Sequence, residues 1–512
     1  MPAKGFLLFV LHTHQPFVAL PADSIGFGED WLFEVIIESY IPLLDMCHRL
    51  LADGIHAKLT FSLTPPLTTM LRGPATQQKF LRYAGEHLAR LEKHLQRRRG
   101  DGAPSAEQMH YHRFRRARDF FERLWRTDLT AVFRGLQDDG LVSLLASTAT
   151  HAYLPVWQAL PGSVELQIAA GLEQHNAVFG CKPCGFWLPE CGFYPGLDYH
   201  LRDAGVKYFF VDGHALLNAQ PRPVYGIHAP VHTPAGLAAL ARDARAHDLV
   251  WRDTGYPGNP AYLTGHGEPP LGLRVRCADE GSNPYNPPHA YGRCLEHARH
   301  FVSECRERVR SLSALADRGP LIVAVFDTEH FGHFWHEGPQ WLELVIRTVA
   351  SEAPELRLVT AEEYLRLFPT NQEAVPSMSS WGWQGYGETW LMGRNDWIYP
   401  ELFDAWQNVE SFLRGARRLS AGQRACLNQY LREFLLAQSS DWAYMLHAQQ
   451  NETYVRNKLQ QYFKNMKTLL LFAEQDLVEP DILHEIEVND KIFPDVDLVT
   501  MRAKASPDFL RE

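Results

Sequence analysis

Seven short apolar runs in this chain each end in, or lead to, a polar side chain. Such runs are typical of parallel strands that are buried on both faces. Amphipathic helical patterns lie between them, and no Gly-x-Gly-x-x-Gly follows the first run. The alternation predicts a parallel barrel of about seven or eight strands rather than an open dinucleotide-binding sheet. The runs are Phe6–Leu11, Ala57–Leu63, Leu141–Ala146, Gly185–Pro189, Tyr208–Val211, Leu321–Phe326 and Leu356–Val359.

The organisation of the chain is predicted to change near residue 370. We expect residues 1–370 to form the barrel, with a helical insertion at about 76–137 and a long active-site loop at about 226–290. The loop prediction rests on high Gly and Pro content and weak periodicity. We expect residues 371–512 to form an aromatic linker and a helical domain, because apolar stripes recur there at helical spacing.

The composition excludes several classes of partner. The 512 residues carry a formal net charge of −10 and no long basic run, so we expect neither nucleic acid nor an anionic membrane as partner. No stretch is long enough to cross a membrane, and the first apolar run is too short for a signal peptide. The eight cysteines contain one Cys-x-x-Cys pair, without a second pair at zinc-finger spacing. We expect unpaired thiols in a reducing cytoplasm.

Two carboxylates stand at the ends of predicted strands, among aromatic residues. Glu190 follows Trp187-Leu-Pro, and Asp327 ends the most apolar run. Active sites of parallel barrels lie at the carboxyl ends of the strands, and a carboxylate pair there is the arrangement that cleaves glycosidic bonds. Burial would raise the pKa of Asp327 and suit it to general acid catalysis. The structural alternative is that one acid caps a helix and the other pairs with a cation.

Histidines and tryptophans accompany these acids. His12 and His14 end the first run, and His151 follows the third. Two histidines at i and i+2 could bind a metal, but no third and fourth ligand are evident, which favours hydrogen bonds to sugar hydroxyls. A later Gly-rich segment carries Trp381 and Trp390. Their rings would form platforms for sugars or, alternatively, pack a domain junction.

These motifs occur in the order that is typical of family-57 glycoside hydrolases, which the chain resembles over nearly its whole length. Within that family the chain is similar to the 1,4-α-glucan branching enzymes. The resemblance implies an incomplete (β/α)7 barrel with a helical insertion, followed by an all-α C-terminal domain. The matching pieces are His12-Thr-His-Gln-Pro16, Ala149-Thr-His-Ala-Tyr-Leu-Pro155, Gly185–Cys191, Phe326–Pro339 and Ser379-Ser-Trp-Gly382.

The resemblance also implies roles for individual residues. Glu190 matches the nucleophile of a retaining mechanism, and Asp327 matches its general acid/base. The implied substrates are α-1,4-glucans such as amylose, amylopectin and glycogen, which would receive α-1,6 branches. Neither a metal nor an organic cofactor is implied, and we expect a monomer. Along this groove, the residues expected to bind substrate are His12, His14, Trp31, His151, Trp187, Trp381, Trp390 and Asp441.

One region departs from the branching-enzyme pattern. After the element Tyr225–Val231 stands His232, where the family commonly has a Tyr in a loop over the active site. The stretch between Tyr262 and Tyr285 is also short. We therefore add His232 to the substrate-binding residues and expect notable hydrolysis beside branching, because water would reach the glycosyl intermediate. An α-glucan hydrolase and an idle glucan-binding protein remain alternatives, and the intact carboxylate pair argues against the latter.

Overall fold

A sheet of parallel strands forms the centre of the N-terminal part of the protein. The computed structural model describes residues 4–18, 28–97, 106–251, 254–264, 274, 276–277, 285–314, 316–416, 418–494 and 497–505. The strands within these ranges are β1 (Gly5–Thr13), β2 (Leu59–Leu63), β3 (Val142–Ser147), β4 (Gly185–Trp187), β5 (Tyr208–Val211), β6 (Val231–His232), β7 (Ala238–Ala241), β8 (Leu263–Thr264), β9 (Arg276–Cys277), β10 (Leu321–Asp327) and β11 (Leu356–Leu358).

The sheet is an incomplete barrel. Its strands run in the order β10-β1-β2-β3-β4-β5-β7-β6; the last strand is antiparallel, β11 pairs with β1, and β8 pairs separately with β9. No ladder joins β7 to β10 among the residues described. Instead, Asp243 N–H donates to the Val323 carbonyl at 2.9 Å and His247 Nδ1 to the Val325 carbonyl at 2.9 Å. The predicted barrel of seven parallel strands that does not close is confirmed.

Alternating side chains explain why the strands read as continuous apolar runs. Phe6, Leu8 and Val10 of β1 point into the barrel, where they pack with inward residues of β5 and β10. The intervening residues of β1 belong to the core between the sheet and the helices. Both faces are therefore buried. At the carboxyl ends of four strands, the next inward-facing residue is polar instead of apolar. These residues are His12, Asp212, Arg242 and Asp327.

The predicted loop at 226–290 contains regular structure, which corrects that prediction in part. Strand β7 joins the sheet beside β5, and the helix Ala244–Trp251 follows it. The strand was missed because its sequence is Ala-Ala-Leu-Ala, and alanine is depleted in strands. Of the remaining stretch, residues 252–253, 265–273, 275 and 278–284 lie outside the described residues.

Helices surround the sheet and make up most of the chain after residue 398. Those between the strands are Glu29–Val35, Ile41–Ala52, Pro65–Arg72, Pro161–Phe179, Leu197–Asp203, Gly213–Leu217, Ala244–Trp251, Pro287–Ser313, Gly338–Glu352 and Ala361–Leu367. In and beside the predicted insertion lie Pro74–Arg97, Ala106–Asp119 and Leu129–Asp138. The later helices are Ile398–Gly415, Ala421–Ala437, Ser440–His447, Glu452–Gln475, Pro480–Asn489 and Leu498–Ala505. Within the described ranges, no helix has the length and apolar character needed to cross a membrane.

The C-terminal helices dock onto the carboxyl ends of the strands. The amide of Gln438 donates to Ser163 Oγ at 2.7 Å, and Gln167 donates to Gln438 at 2.9 Å. The backbone N–H of Ser440 donates to the His151 carbonyl at 3.0 Å. These buried polar contacts place the first turn of the helix Ser440–His447 directly over the end of the barrel that carries the polar residues.

Candidate active site

Glu190 lies in a tight turn directly after β4. Its backbone has φ 62° and ψ 19°, in the left-handed region that residues with a side chain seldom adopt. Its Oε2 accepts a hydrogen bond from Trp381 Nε1 at 2.7 Å, and its Oε1 accepts one from Ser440 Oγ at 2.7 Å. Burial raises the pKa of Glu190, and these two donors act against that rise because they stabilise the charged form. The strained turn and the two donors fix the orientation of the Glu190 carboxylate.

Asp327 ends β10 opposite His12 in the parallel register of β1 and β10. Burial raises the pKa of Asp327 well above its usual value, the charges of Glu329 and Glu190 raise it further, and Arg242 lowers it. A carboxyl group in this condition keeps its proton at a pH where an ordinary aspartate is ionised, as a general acid requires. The geometry connects the two acids, because His12, which is in register with Asp327, contacts His151, whose Nδ1 lies 3.7 Å from Glu190 Oε1.

Three histidines form a stack beside the two acids. His12 Nε2 lies 2.9 Å from His151 Nε2, and the rings of His14 and His151 stack with centroids 3.8 Å apart. Burial lowers the pKa of His12 and of His151 well below the usual value, and neighbouring histidines lower both further. Both rings are therefore neutral near pH 7. Each ring also contacts a hydroxyl through its Nδ1 atom. His12 contacts Ser62 Oγ at 2.6 Å, His14 contacts Thr64 Oγ1 at 2.8 Å, and His151 contacts Ser440 Oγ at 2.9 Å.

His14, His151 and Asp441 lie close enough together to be examined as metal ligands. One donor atom of each lies within 4.8 Å of the others, and His14 Nε2 is 2.9 Å from Asp441 Oδ2. A metal that two imidazoles bind through their lone pairs must lie near both ring planes. The planes of His14 and His151 are within 15° of parallel and stacked face to face, so they do not meet at a nearby point. Both nitrogens of each ring already contact a neighbouring side chain, so the arrangement suits a hydrogen-bond network within the protein better than metal coordination.

Arg242 belongs to the site although the sequence analysis did not predict it. Its Nε donates to Asp212 Oδ2 at 2.7 Å, and its guanidinium carbon lies 6.0 Å from the centre of the Trp381 ring. His214 Nδ1 contacts the other oxygen of Asp212 at 2.9 Å. The signal that could have found Arg242 is the alternation of β7, because Ala238 and Leu240 point into the barrel core. Because β7 was not predicted as a strand, Arg242 at its end was not predicted as a site residue.

Ser440 is a second unpredicted member of the site. It lies 250 residues from Glu190 in the sequence, so no local pattern could have paired the two. The neighbouring Asp441 was identified through the resemblance, and the structure places its carboxylate on His14. One helix turn thus supplies a hydroxyl to Glu190 and a carboxylate to the histidine stack.

Two tryptophans predicted to contact the glucan are buried instead. Trp390 is 1% exposed and stacks on Tyr153 with ring centroids 4.4 Å apart. Trp187 has no exposed surface and packs between His12, at 4.7 Å, and Trp381, at 5.2 Å. Neither ring offers a face to a sugar, which corrects both predictions. Trp390 fills a packing cluster, and Trp187 supports the residues that surround Glu190.

His232 does not lie near the two carboxylates. It pairs in register with Ala238, and its backbone is bonded to Gln372 and Ala374. Ala238 begins β7, whereas Arg242, which follows the end of that strand, belongs to the site. Four residues of strand span about 13 Å. His232 is therefore at the opposite end of the barrel, which corrects the prediction that it is a substrate-binding residue.

Two partly exposed tryptophans flank the site entrance. Trp31 is 42% exposed and its ring lies 5.0 Å from His333. Trp251, which was not predicted, is 39% exposed and lies between His247, at 5.3 Å, and His330, at 4.9 Å. His330 and His333 follow Asp327 in the same loop. Both indole rings therefore have a free face close to the strand end that carries the general acid candidate.

Sequence comparison relates both parts of the chain to carbohydrate-active enzymes. The profile of glycosyl hydrolase family 57 matches residues 8–378, and that of the C-terminal region of 1,4-alpha-glucan branching enzymes matches residues 402–500. A 1,4-alpha-glucan branching enzyme from Thermococcus kodakarensis is 28% identical, over 96% of this chain and 77% of its own length.

Structural comparison gives similar relatives. An alpha-amylase from Thermotoga maritima is 31% identical with a TM-score of 0.88, over 97% of this chain and 99% of its own. A branching enzyme of the same family from Pyrococcus horikoshii is 30% identical with a TM-score of 0.90, over 97% of each chain. With a family profile that spans most of its length and solved relatives that match nearly all of it, this chain belongs to glycosyl hydrolase family 57.

Proposed function

We propose that this protein is a 1,4-α-glucan branching enzyme. It would cleave an α-1,4 bond within a glucan and transfer the released segment to the C6 hydroxyl of an acceptor glucan. The observation that carries the proposal is the hydrogen bond of 2.7 Å from Ser440 to Glu190. Ser440 lies in the region that matches the C-terminal profile of branching enzymes, so this region completes the environment of the nucleophile.

In the first step, a carboxylate oxygen of Glu190 attacks the anomeric carbon of the donor sugar. Asp327 donates its proton to the glycosidic oxygen, the C–O bond breaks, and the shortened glucan leaves. Trp381 and Ser440 keep the attacking carboxylate oriented, so little of its reorientation remains to be done in the transition state. His151 Nδ1 lies 3.7 Å from Glu190 Oε1, and the neutral His12–His151 pair, whose ring nitrogens contact each other, Ser62 and Ser440, supports the residues around the attacking carboxylate.

In the second step, the acceptor displaces Glu190 from the glycosyl ester. Asp327, now ionised, removes the proton of the acceptor hydroxyl as its oxygen bonds to the anomeric carbon, and Glu190 is released as a carboxylate. The raised pKa of Asp327 suits it to take this proton as well as to donate it in the first step. Two inversions at the same carbon give overall retention of the α configuration.

An α-glucan hydrolase is the second candidate function, because the chain is 31% identical to an alpha-amylase over nearly its whole length. In that case water would take the place of the acceptor in the second step. Two features were the reasons to expect notable hydrolysis, namely His232 and the short stretch between Tyr262 and Tyr285, of which residues 265–273, 275 and 278–284 lie outside the described residues. Since His232 lies at the other end of the barrel, we propose that transfer predominates and that the physiological role is synthesis of a branched storage glucan. The eight free thiols fit a reducing cytoplasm.

The purified protein incubated with amylose distinguishes these functions. We expect new α-1,6 linkages, counted by proton NMR and by debranching, to exceed new reducing ends. Reducing ends without α-1,6 linkages would identify a hydrolase, and the absence of both would leave a glucan-binding protein. Glu190→Gln is the control, because its neutral amide cannot form the glycosyl ester, so it should lose both activities.

A further inference from the structure

The tyrosines near the region that the sequence singled out do not shield the two carboxylates. Tyr225 donates its hydroxyl to Asp317 at 2.6 Å on the protein surface. The Tyr256 hydroxyl lies 2.7 Å from His300 Nδ1, and its ring stacks on His297 with centroids 4.6 Å apart. Each ring is thus committed to a contact away from Glu190. Within the described part of this region, neither supplies a wall that would keep water from a glycosyl intermediate.

The helix Ser440–His447 places a different tyrosine at the active site. Ser440 binds Glu190, and residues four apart lie on the same helix face, one turn on. Tyr444 therefore faces the same side as Ser440. On the other side of the helix, Trp442 and Leu446 are buried and anchor it. Tyr444 itself is 48% exposed.

Both acids act on the pKa of Tyr444. Partial burial raises the pKa of Tyr444, and the charges of Glu190 and Asp327 each raise it further. Tyr199 offers a contrast: it is 44% exposed, and its contact is with the Arg202 guanidinium, 5.1 Å from its ring centre, on the helix Leu197–Asp203. Tyr444 is half-exposed, lies on the helix face that binds Glu190, and has a pKa that depends on both carboxylates, so we place it beside them in the site.

We propose that Tyr444 is a specificity-determining residue that controls whether a glucan or water captures the glycosyl intermediate on Glu190. The proposal rests on the function proposed above. An aromatic ring at this position would border the site, one helix turn from the Ser440 hydroxyl that binds Glu190. It offers an apolar face to the acceptor sugar and displaces water that would otherwise hydrolyse the ester. The site would thus depend on its C-terminal helix for selectivity as well as for orientation of the nucleophile.

The test compares Tyr444→Ala and Tyr444→Phe with wild type, with Tyr199→Ala as the matched control. The donor is amylose, a fluorescently labelled maltohexaose is the acceptor, and the readout is the ratio of new reducing ends to extended acceptor. We expect Tyr444→Ala to raise this ratio on the order of fivefold while the rate of donor cleavage changes less. Tyr199→Ala should leave the ratio unchanged. If Tyr444→Phe gives the wild-type ratio, the aromatic ring controls the ratio. If it gives the ratio of the alanine variant, the hydroxyl controls it.

An unchanged ratio in Tyr444→Ala would overturn the proposal, and so would an equal rise in Tyr199→Ala. Melting temperatures of all variants identify any loss of folding, and the second variant, Tyr444→Phe, keeps the ring in its place. Failure of the proposed function is distinguishable, because it appears in the wild type as the absence of α-1,6 linkages. In that case the ratio of hydrolysis to transfer can still be measured, because transfer to any hydroxyl of the labelled acceptor extends it.

Discussion

At the scale of single residues, the site depends on how Glu190 remains usable as a nucleophile although it is buried. Two donors from distant parts of the chain, Trp381 and Ser440, each give it a hydrogen bond of 2.7 Å. Asp327 has no such pair of donors in its favour, and burial and neighbouring acids raise its pKa well above normal. The different surroundings set the two acids apart, because two donors stabilise the charged form of Glu190 whereas burial and neighbouring acids favour the protonated form of Asp327, as the proposed roles of nucleophile and general acid require.

Trp381→Phe tests the first of these donors. The variant keeps an aromatic ring but loses the Nε1–H that binds Glu190 Oε2. A hydrogen bond to a charged group contributes about 1.5–3 kcal/mol, so turnover should fall roughly 10- to 100-fold. Trp390→Phe is the matched control, because its buried Nε1 has no hydrogen-bond partner, and its turnover should be unchanged. Equal kinetic effects in both variants would contradict the role of Trp381.

Arg242→Gln tests the electrostatic control of Asp327. The positive charge of Arg242 lowers the pKa of Asp327, so its removal should raise that pKa further. Activity needs the protonated acid and is lost as the pH rises through this pKa. The alkaline limb of kcat/KM should therefore move to higher pH in Arg242→Gln, and stay in place in Arg242→Lys, which keeps the charge. A limb that moves to lower pH would show that the charge does not act in this way.

At the scale of elements, the helix Ser440–His447 joins the two parts of the molecule at the active site. Its first residues bind Glu190 and His14, and its first backbone N–H binds the His151 carbonyl. His151 has φ 59°, so the residue that receives this helix is also in the left-handed region. A backbone of this kind persists where surrounding contacts hold it in place. The docked helix is such a contact.

Asp441→Asn should destabilise the protein by an amount that depends on pH. Burial acts to raise the pKa of Asp441, but the neighbouring His14 holds this pKa well below its usual range. A carboxyl group whose pKa is lowered on folding adds stability above its unfolded pKa of about 3.9, and that contribution is lost as the pH falls below it. The free energy of unfolding should therefore be reduced in the variant at pH 7.

Denaturant unfolding at pH 7 and at pH 3 checks this prediction, with Asp481→Asn on the exposed surface of the helix Pro480–Asn489 as the control. We expect the difference between wild type and Asp441→Asn to be smaller at pH 3. A difference that stays constant between the two pH values would show that the effect of the substitution does not come from the ionised carboxylate.

The elements also show what the sequence can and cannot reveal. All seven apolar runs overlap strands of the sheet, and the runs of β1, β2, β3, β4, β5 and β10 are mostly apolar because these strands are buried on both faces. Strand β7 was missed because three of its four residues are alanines, which have little strand preference, and Arg242 was missed with it. Trp187 and Trp390 were misjudged for another reason. A tryptophan in a sequence does not show whether its faces are open, since tertiary packing decides that.

At the scale of the whole molecule, the active site is assembled from both ends of the chain. The strands bring His12, Glu190 and Asp327 to one end of the barrel, as parallel topology requires. The C-terminal helices complete the site with Ser440 and, in our proposal, Tyr444. Contacts between residues some 250 positions apart leave no periodic signal in the sequence. The strand ends could therefore be predicted from the sequence, whereas Ser440 and Tyr444 of the helical region could not, and Asp441 was identified only through the resemblance.

The most direct test of this account is to trap the glycosyl intermediate. Asp327→Ala with an α-glucosyl fluoride should form the ester, because fluoride leaves without a proton, and should break it slowly, because the base is missing. Mass spectrometry should then find one added glucosyl unit, on the peptide that contains Glu190. Absence of a covalent adduct, or an adduct on another carboxylate such as Glu329, would contradict the assignment of Glu190 as nucleophile.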